Sequence, residues 1–205
     1  MIDFIYLASQ SPRRSQLLDQ LGVAYQILVA DQDESAAAEA LEIALQNEAP
    51  MAYVKRVTAL KLEAAVQRLQ MRGLPLAPVL CADTTVAMGR VIYGKPSTAA
   101  DAARMLRELS GQTHRVLTSV AIGYGAGHKK RVQTVCESQV TFAKLTPADV
   151  ANYVATGEPL GKAGSYAVQG RAAAFIEKIS GSYSGIMGLP LFETAQLLKQ
   201  IRFKH

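Results

Sequence analysis

Two arginines stand side by side, Arg13 and Arg14, directly after Ser9-Gln10-Ser11-Pro12. Ser11 reads as a helix N-cap and Pro12 as the first helical residue, so both cations fall in a first turn. The positive end of the helix dipole disfavours cations there. An anion held by the free N–H groups and by both guanidinium forks removes that penalty, which makes this turn a candidate phosphate site. A solvated pair on an exposed turn is the alternative. Lys61 is a second unusual cation, because on a helical wheel it shares an arc with Val54, Val57, Leu60, Ala64 and Ala65. Its ammonium must reach out to water or meet an anion. Asp83 follows the apolar run Val79-Leu80-Cys81-Ala82. A strand that stops at Asp83 puts a carboxylate beyond its carboxyl end, where open α/β sheets carry their sites. There it can hold Mg²⁺ or take a proton from water, or it can serve only as a turn acid. Glu34, also just after a strand, is a candidate second carboxylate. Lys95 before Pro96, and the turn Gln169-Gly170, show no local pattern that demands a function.

Glu34, Asp83, Lys61, Lys95 and the two arginines together suit phosphoryl chemistry. Two carboxylates can hold a metal and four cations can neutralise a triphosphate, and little else is needed beyond positioning and charge. The sequence has no GxxxxGK[ST] loop, no G-x-S-x-G, no HExxH and no CxxC, which excludes a standard P-loop enzyme and several hydrolase and zinc classes.

These side chains need a frame to hold them, and strand and helix signals alternate along the chain, which predicts an α/β fold. Strands are expected at Phe4–Ala8, Val23–Ala30, Val79–Ala82, Arg115–Ile122, Arg131–Phe142 and Phe175–Ile179. Helices are expected from Pro12 to Gly22, over Ser35–Asn47, from Pro50 to Arg72, from Thr98 to Leu109, from Thr146 to Gly157 and from Pro190 to Ile201. Met88-Gly89-Arg90-Val91 reads as a hairpin turn. No linker or repeat divides the 205 residues, so one domain over 1–205 is expected, with any lobe boundary invisible in the composition.

A hydrophobic fraction of 49% can build a core. The N-terminus carries Asp3 where a signal peptide carries base, and no apolar run is long enough for a bilayer, so a cytoplasmic protein with no membrane partner is expected. Two cysteines make no disulfide framework, and Cys81 reads as a small core residue. Three histidines without ligand spacing exclude a zinc site, so any metal is a hard, oxygen-bound one. The net charge of +5 suits an anionic substrate. No basic run interleaved with aromatics is present, which argues against a nucleic-acid groove.

In this order the motifs are familiar. They run Ser9-x-Ser11-Pro12-Arg13-Arg14, Asp33-Glu34, Tyr53-Val54-x-Arg56 with Lys61, Ala82-Asp83-Thr84, Lys95-Pro96 and Ser110-Gly111-Gln112-Thr113-His114. Gly157-Glu158-Pro159, Lys162-Ala163-Gly164, Gln169-Gly170 and Gly188-Leu189-Pro190-Leu191 complete the series. The chain thereby resembles, over nearly its whole length, the Maf family of nucleotide pyrophosphatases, also called septum-formation-inhibitor Maf-like proteins. The resemblance implies an elongated mixed β-sheet with flanking helices, similar to inosine-triphosphate pyrophosphatases, with an active-site cleft between two lobes. It implies hydrolysis of a nucleoside triphosphate between the α- and β-phosphates, dependent on Mg²⁺ or Mn²⁺, and a homodimer. Asp83 would be the catalytic carboxylate and Glu34 would help it hold the metal. Lys61, Lys95, Arg13 and Arg14 would bind phosphates, with Ser9 lining the same loop.

The family branch acting on dTTP, UTP and modified pyrimidine nucleotides shows Arg, Thr and Gln at three discriminating positions, and this chain has Arg13, Thr84 and Gln169 there. A Gln amide can both donate to and accept from a pyrimidine edge. The 7-methyl-GTP branch differs at all three positions. A non-catalytic regulator of septum formation is the alternative from another class. Two departures stand out: Gly161 replaces the acid that often precedes Lys-Ala-Gly, and the stretch from Asp33 to Pro50 is longer than usual.

Overall fold

The computed structural model describes residues 3–31 and 40–203. Glu34 lies outside the described residues. The strands are β1 (Ile5–Leu7), β2 (Tyr25–Ile27), β3 (Val79–Met88), β4 (Val91–Tyr93), β5 (Thr113–Tyr124), β6 (Lys130–Phe142) and β7 (Ile176–Ser180). The helices are α1 (Pro12–Gln20), α2 (Pro50–Met71), α3 (Ala99–Leu109), α4 (Pro147–Ala155), α5 (Tyr183–Met187) and α6 (Leu191–Gln200). The strands form a mixed sheet in the order β2-β1-β3-β5-β6-β7, with β4 paired to β3 off that path. The sheet has seven strands, and the mixed sheet with flanking helices is the one the family resemblance implies.

By backbone contacts the chain divides into two compact units. The first holds residues 1–83, 118–136 and 188–205. In it β1 pairs in parallel with both β2 and β3. Ile5, Tyr6 and Leu7 are all buried, as expected for a strand covered on both faces. Pro50 starts α2, and Gly73, at φ +59°, ends it with a bond from Leu74 N to Leu69 O. Leu62, Ala65, Val66 and Leu69 of α2 pack with Tyr6, Val79, Cys81 and Ala121 of the sheet.

The second unit holds residues 84–117 and 137–187. Its core joins Leu106 and Leu109 of α3, Val150 and Tyr153 of α4, and Val86, Val116, Val140 and Phe142 of the sheet. Thr98 caps α3 by accepting from Asp101 N, and Thr146 with Asp149 forms a capping box on α4. Gly89, at φ +58°, turns the β3–β4 hairpin, in which Met88 faces Val91.

Three expectations need correction. The strand expected to stop at Asp83 continues to Met88, because the β-branched run Thr84-Thr85-Val86 carries it on, and Asp83 lies inside β3. The helix expected over Ser35–Asn47 does not run to Asn47: of its described part only Ala40 is helical, and residues 41–49 form turns and irregular chain. Side chains there take over the backbone groups: Leu45 N donates to Glu48, Tyr53 Oη to Glu42 O, and Arg56 to Ile43 O. Strand β2 is also shorter than read, ending at Ile27.

Candidate active site

The registry of β3 against α2 builds the centre of the site. Side chains alternate along a strand, so Val79, Cys81 and Asp83 share one face. Val79 and Cys81 meet the apolar side of α2, and Asp83 is the next residue on that face. Lys61 lies one turn before Ala65, on the same side of the helix. The step along the strand matches the step along the helix, and Lys61 Nζ donates to Asp83 Oδ1 at 2.5 Å. The same ammonium donates to Glu42 Oε1 at 2.7 Å. Asp83 is 7% exposed, and the Lys61 side chain 22%. Burial alone would lower the pKa of Lys61, but the facing Asp83 and Glu42 carboxylates outweigh it and raise the pKa above its ordinary value. Lys61 therefore meets an anion rather than reaching for water, and it stays protonated.

Glu42 is a residue that sequence reasoning missed. Tyr53 Oη donates to its carbonyl at 2.8 Å, and Arg56 donates to Ile43 O at 3.0 Å while forming a two-bond ion pair with Glu48. Tyr53 and Arg56, both on α2, thus tie the segment 42–48 to the helix that carries Lys61. The one available signal was Lys61 itself, whose position on an apolar arc calls for carboxylates.

Just after β1, the backbone leaves the sheet and turns into α1. Ala8 N still donates to Leu80 O, so the next residue, Ser9, sits beside the level at which β3 reaches Ala82. Ser9 Oγ accepts from Ser11 N at 3.2 Å and from Arg14 Nη1 at 3.1 Å. Arg14 Nε donates to Gly188 O at 2.8 Å, which links this turn to the segment leading into α6. Ser11 occupies the N-cap position, yet its side chain makes no capping bond. Burial pulls the pKa of Arg14 down, and the Asp83 carboxylate acts in the opposite sense. Burial also lowers Arg13. The first unit therefore gathers Ser9, Arg14, Lys61 and Asp83, with Glu42, and Arg13 is half-buried beside Arg14.

Thr84, Lys95 and Gln169 belong to the second unit. Thr84 follows Asp83 in β3 and is half-buried. Lys95 is exposed in the turn after β4, and that turn is held where Gly164 N donates to Gly94 O at 3.1 Å. Gly164 has φ +67°, and a Cβ there would lie 2.8 Å from both Val86 methyl carbons, so only glycine fits. Gln169 is exposed at the end of the buried run Tyr166-Ala167-Val168. Gly161 has φ +72°, and a Cβ at that position would meet nothing within 4 Å.

Asp83 and Glu42 offer hard oxygen donors that already share one cation, the Lys61 ammonium. Among the described residues no three His, Cys, Asp or Glu side chains gather as a closed metal cage. This donor set fits a divalent cation of the Mg²⁺ type, which takes one or two carboxylates and fills its remaining positions with water and substrate phosphates. Cys81 is fully buried beside this centre, and burial pushes its thiol up to about 12, so it is a core residue and no nucleophile.

The profile of the family described as Maf-like protein matches residues 4–201. A protein of Albidiferax ferrireducens named dTTP/UTP pyrophosphatase is 67% identical over 204 residues, covering 100% of both chains. One of the same name from a Polaromonas species is 61% identical over 202 residues, covering 98% of each. Among solved structures, that of a HAM1 protein from Coxiella burnetii aligns with a TM-score of 0.52 at 12% identity, covering 97% of this chain and 100% of the other. At that identity the likeness concerns the fold alone.

Proposed function

This chain belongs to the Maf-like protein family, and on that basis we propose that it hydrolyses dTTP and UTP to the monophosphate and pyrophosphate. The observation that carries the reading is the contact between Asp83 inside β3 and Lys61 on α2, where a buried carboxylate is held by a charged partner beside an arginine-bearing helix turn. Relatives at 67% and 61% identity bear the name of this activity across their full length.

In the reaction a water oxygen bonds to the α-phosphorus, the α–β anhydride P–O bond breaks, and pyrophosphate leaves. Asp83 accepts the proton of that water. Lys61 orients the carboxylate and, remaining protonated, lends positive charge where phosphate charge gathers. Arg13 and Arg14 take phosphate oxygens, with Ser9 fixing the Arg14 guanidinium. Lys95 serves as a further phosphate ligand, and Thr84 and Gln169, with Arg13, discriminate the base. Asp83 would hold Mg²⁺ or Mn²⁺, with Glu42 as the carboxylate that shares Lys61 with it and Glu34, outside the described residues, as the further one the family resemblance implies. When bound, the cation supplies charge neutralisation on the phosphate oxygens.

Asp83→Asn preserves shape and removes the proton acceptor. Pyrophosphate release from dTTP should fall by about 10²–10⁴-fold while the chain still unfolds in a single cooperative thermal transition. Turnover retained in this variant removes Asp83 from its role. No helix among the described residues is long and apolar enough to cross a membrane, and two buried free cysteines accord with a cytoplasmic location. A homodimer is the assembly expected of the family, and light scattering on the purified chain checks it.

A further inference from the structure

An exposed glutamine on a turn can select a base only if the turn is rigid, because a mobile amide satisfies any hydrogen-bonding edge. The Gln169 turn is closed by Gly170 N donating to Ala167 O and by Ala173 N donating to Gly170 O, both at 3.0 Å. Beneath it lies the carboxylate of Glu158. Its Oε1 accepts from Tyr153 Oη at 2.8 Å and its Oε2 accepts from Arg171 N at 3.1 Å. A backbone bond from Ala172 adds to these. Tyr153 is 3% exposed and stacks edge-on against Phe175 with ring centroids 5.3 Å apart. A chain of contacts therefore runs from the core through Tyr153 and Glu158 to the residues flanking Gln169.

Gly170 supplies an independent observation. Its φ of −101° is open to any residue, so the backbone does not call for glycine. The carboxylate does: a Cβ at 170 would lie 2.6 Å from Glu158 Cδ and closer still to Oε1. An alanine fits only if the Glu158 carboxylate leaves, which breaks its bonds to Tyr153 and Arg171. Every group facing that carboxylate is a donor, so an acceptor-only side chain is required, and a Gln amide would set N–H against N–H. Glu158 is itself fixed at both ends, by its N–H to Thr156 Oγ1 at 3.1 Å and by Lys162 Nζ on its carbonyl at 2.5 Å.

We propose that Glu158 is a positioning residue for base recognition: its carboxylate, seated on Gly170 and anchored by Tyr153, holds the turn that presents Gln169 to a pyrimidine edge. This rests on the reading of Gln169 as a base-discriminating residue. Glu158 touches no substrate in this role and acts through the Gln169 turn.

The test compares the native chain with Gln169→Ala, Glu158→Ala, Glu158→Gln and Gly170→Ala. It measures kcat and KM for dTTP, UTP and GTP, and the inhibition constant of inorganic tripolyphosphate, which has no base. Glu158→Ala and Gly170→Ala should raise KM for dTTP and UTP about tenfold and shrink the dTTP-over-GTP preference toward that of Gln169→Ala, with tripolyphosphate inhibition within about twofold of native. Glu158→Gln should fall between. If Gln169→Ala loses the preference while Glu158→Ala and Gly170→Ala keep it, the positioning role is overturned and base reading by Gln169 stands. If Gln169→Ala keeps the preference, the reading beneath the proposal fails and the proposal with it. An equal weakening of tripolyphosphate and nucleotides shows a general structural role and overturns it. Should Glu158→Ala not fold, Gly170→Ala carries the test, since it removes no side-chain group.

Discussion

Lys61 is held between two carboxylates, and that arrangement has a measurable consequence. Removing the ammonium leaves Asp83 and Glu42 facing each other with their shared partner gone. Breaking one side of a buried pair costs about 3–5 kcal/mol, and the partial exposure of Lys61 places this case at the lower end. Lys61→Met should therefore lower unfolding free energy by about 3 kcal/mol in a urea titration and depress kcat as well. Glu42→Gln keeps the size and one acceptor, so its stability loss should stay near 1 kcal/mol or less. A Lys61→Met chain as stable as the native one would show that the pair contributes nothing to folding. At this scale the sequence is informative where a residue breaks its local pattern. Asp83 ends an apolar run and Lys61 sits on an apolar arc, and both prove to be in contact. Glu42 breaks no pattern, since an acid in an Ala- and Glu-rich stretch is ordinary, and its contact with Lys61 spans nineteen residues of chain. Such a pairing is set by how the chain folds back on α2, which no local signal encodes.

The elements follow their caps and punctuation. Pro12, Pro50 and Pro147 each open a helix, and Gly22 and Gly73 lie just beyond two of them at positive φ. These boundaries were legible because the residues have few other conformational options. The end of β3 was not, because Asp is disfavoured in strands and its propensity argued for a stop. Burial on both sides of Asp83 and the Lys61 contact override that propensity. The turns at 41–49 were misread for a related reason: Ala and Glu favour helix, but Tyr53, Arg56 and Glu48 capture the backbone of that segment. One element-scale prediction concerns the packing of β3 against the Lys162-Ala163-Gly164 turn. Gly164→Ala combines a left-handed φ with a clash on Val86, and should cost about 2–3 kcal/mol by thermal denaturation. A second concerns α4, where Thr146→Ala removes the capping box and should cost about 1 kcal/mol.

Across the chain as a whole, stability should depend on pH through a residue outside the reaction. His114 is buried in the core of the second unit, with Nε2 on Tyr166 Oη at 2.8 Å and Nδ1 without a hydrogen-bond partner among the described residues. Burial lowers its pKa from 6.5 to about 4. The folded state therefore prefers the neutral ring, and between these values the unfolded chain binds more protons. The stabilisation is full above pH 6.5 and is lost as pH falls toward 4, with a total on the order of 3 kcal/mol. Urea titrations at pH 7 and pH 4.5 should differ by less in His114→Gln than in the native chain. The positive balance of +5 belongs to this scale too, and it favours an anionic substrate without naming one. The name of the substrate comes from the order of motifs along the chain and from relatives of high identity. The most direct measurement is pyrophosphate release from dTTP, UTP, CTP, GTP, ITP and 7-methyl-GTP, each with Mg²⁺, Mn²⁺ or EDTA. Metal-dependent cleavage of dTTP and UTP above the others is the predicted result. Preference for 7-methyl-GTP, or release of orthophosphate in place of pyrophosphate, would contradict the account.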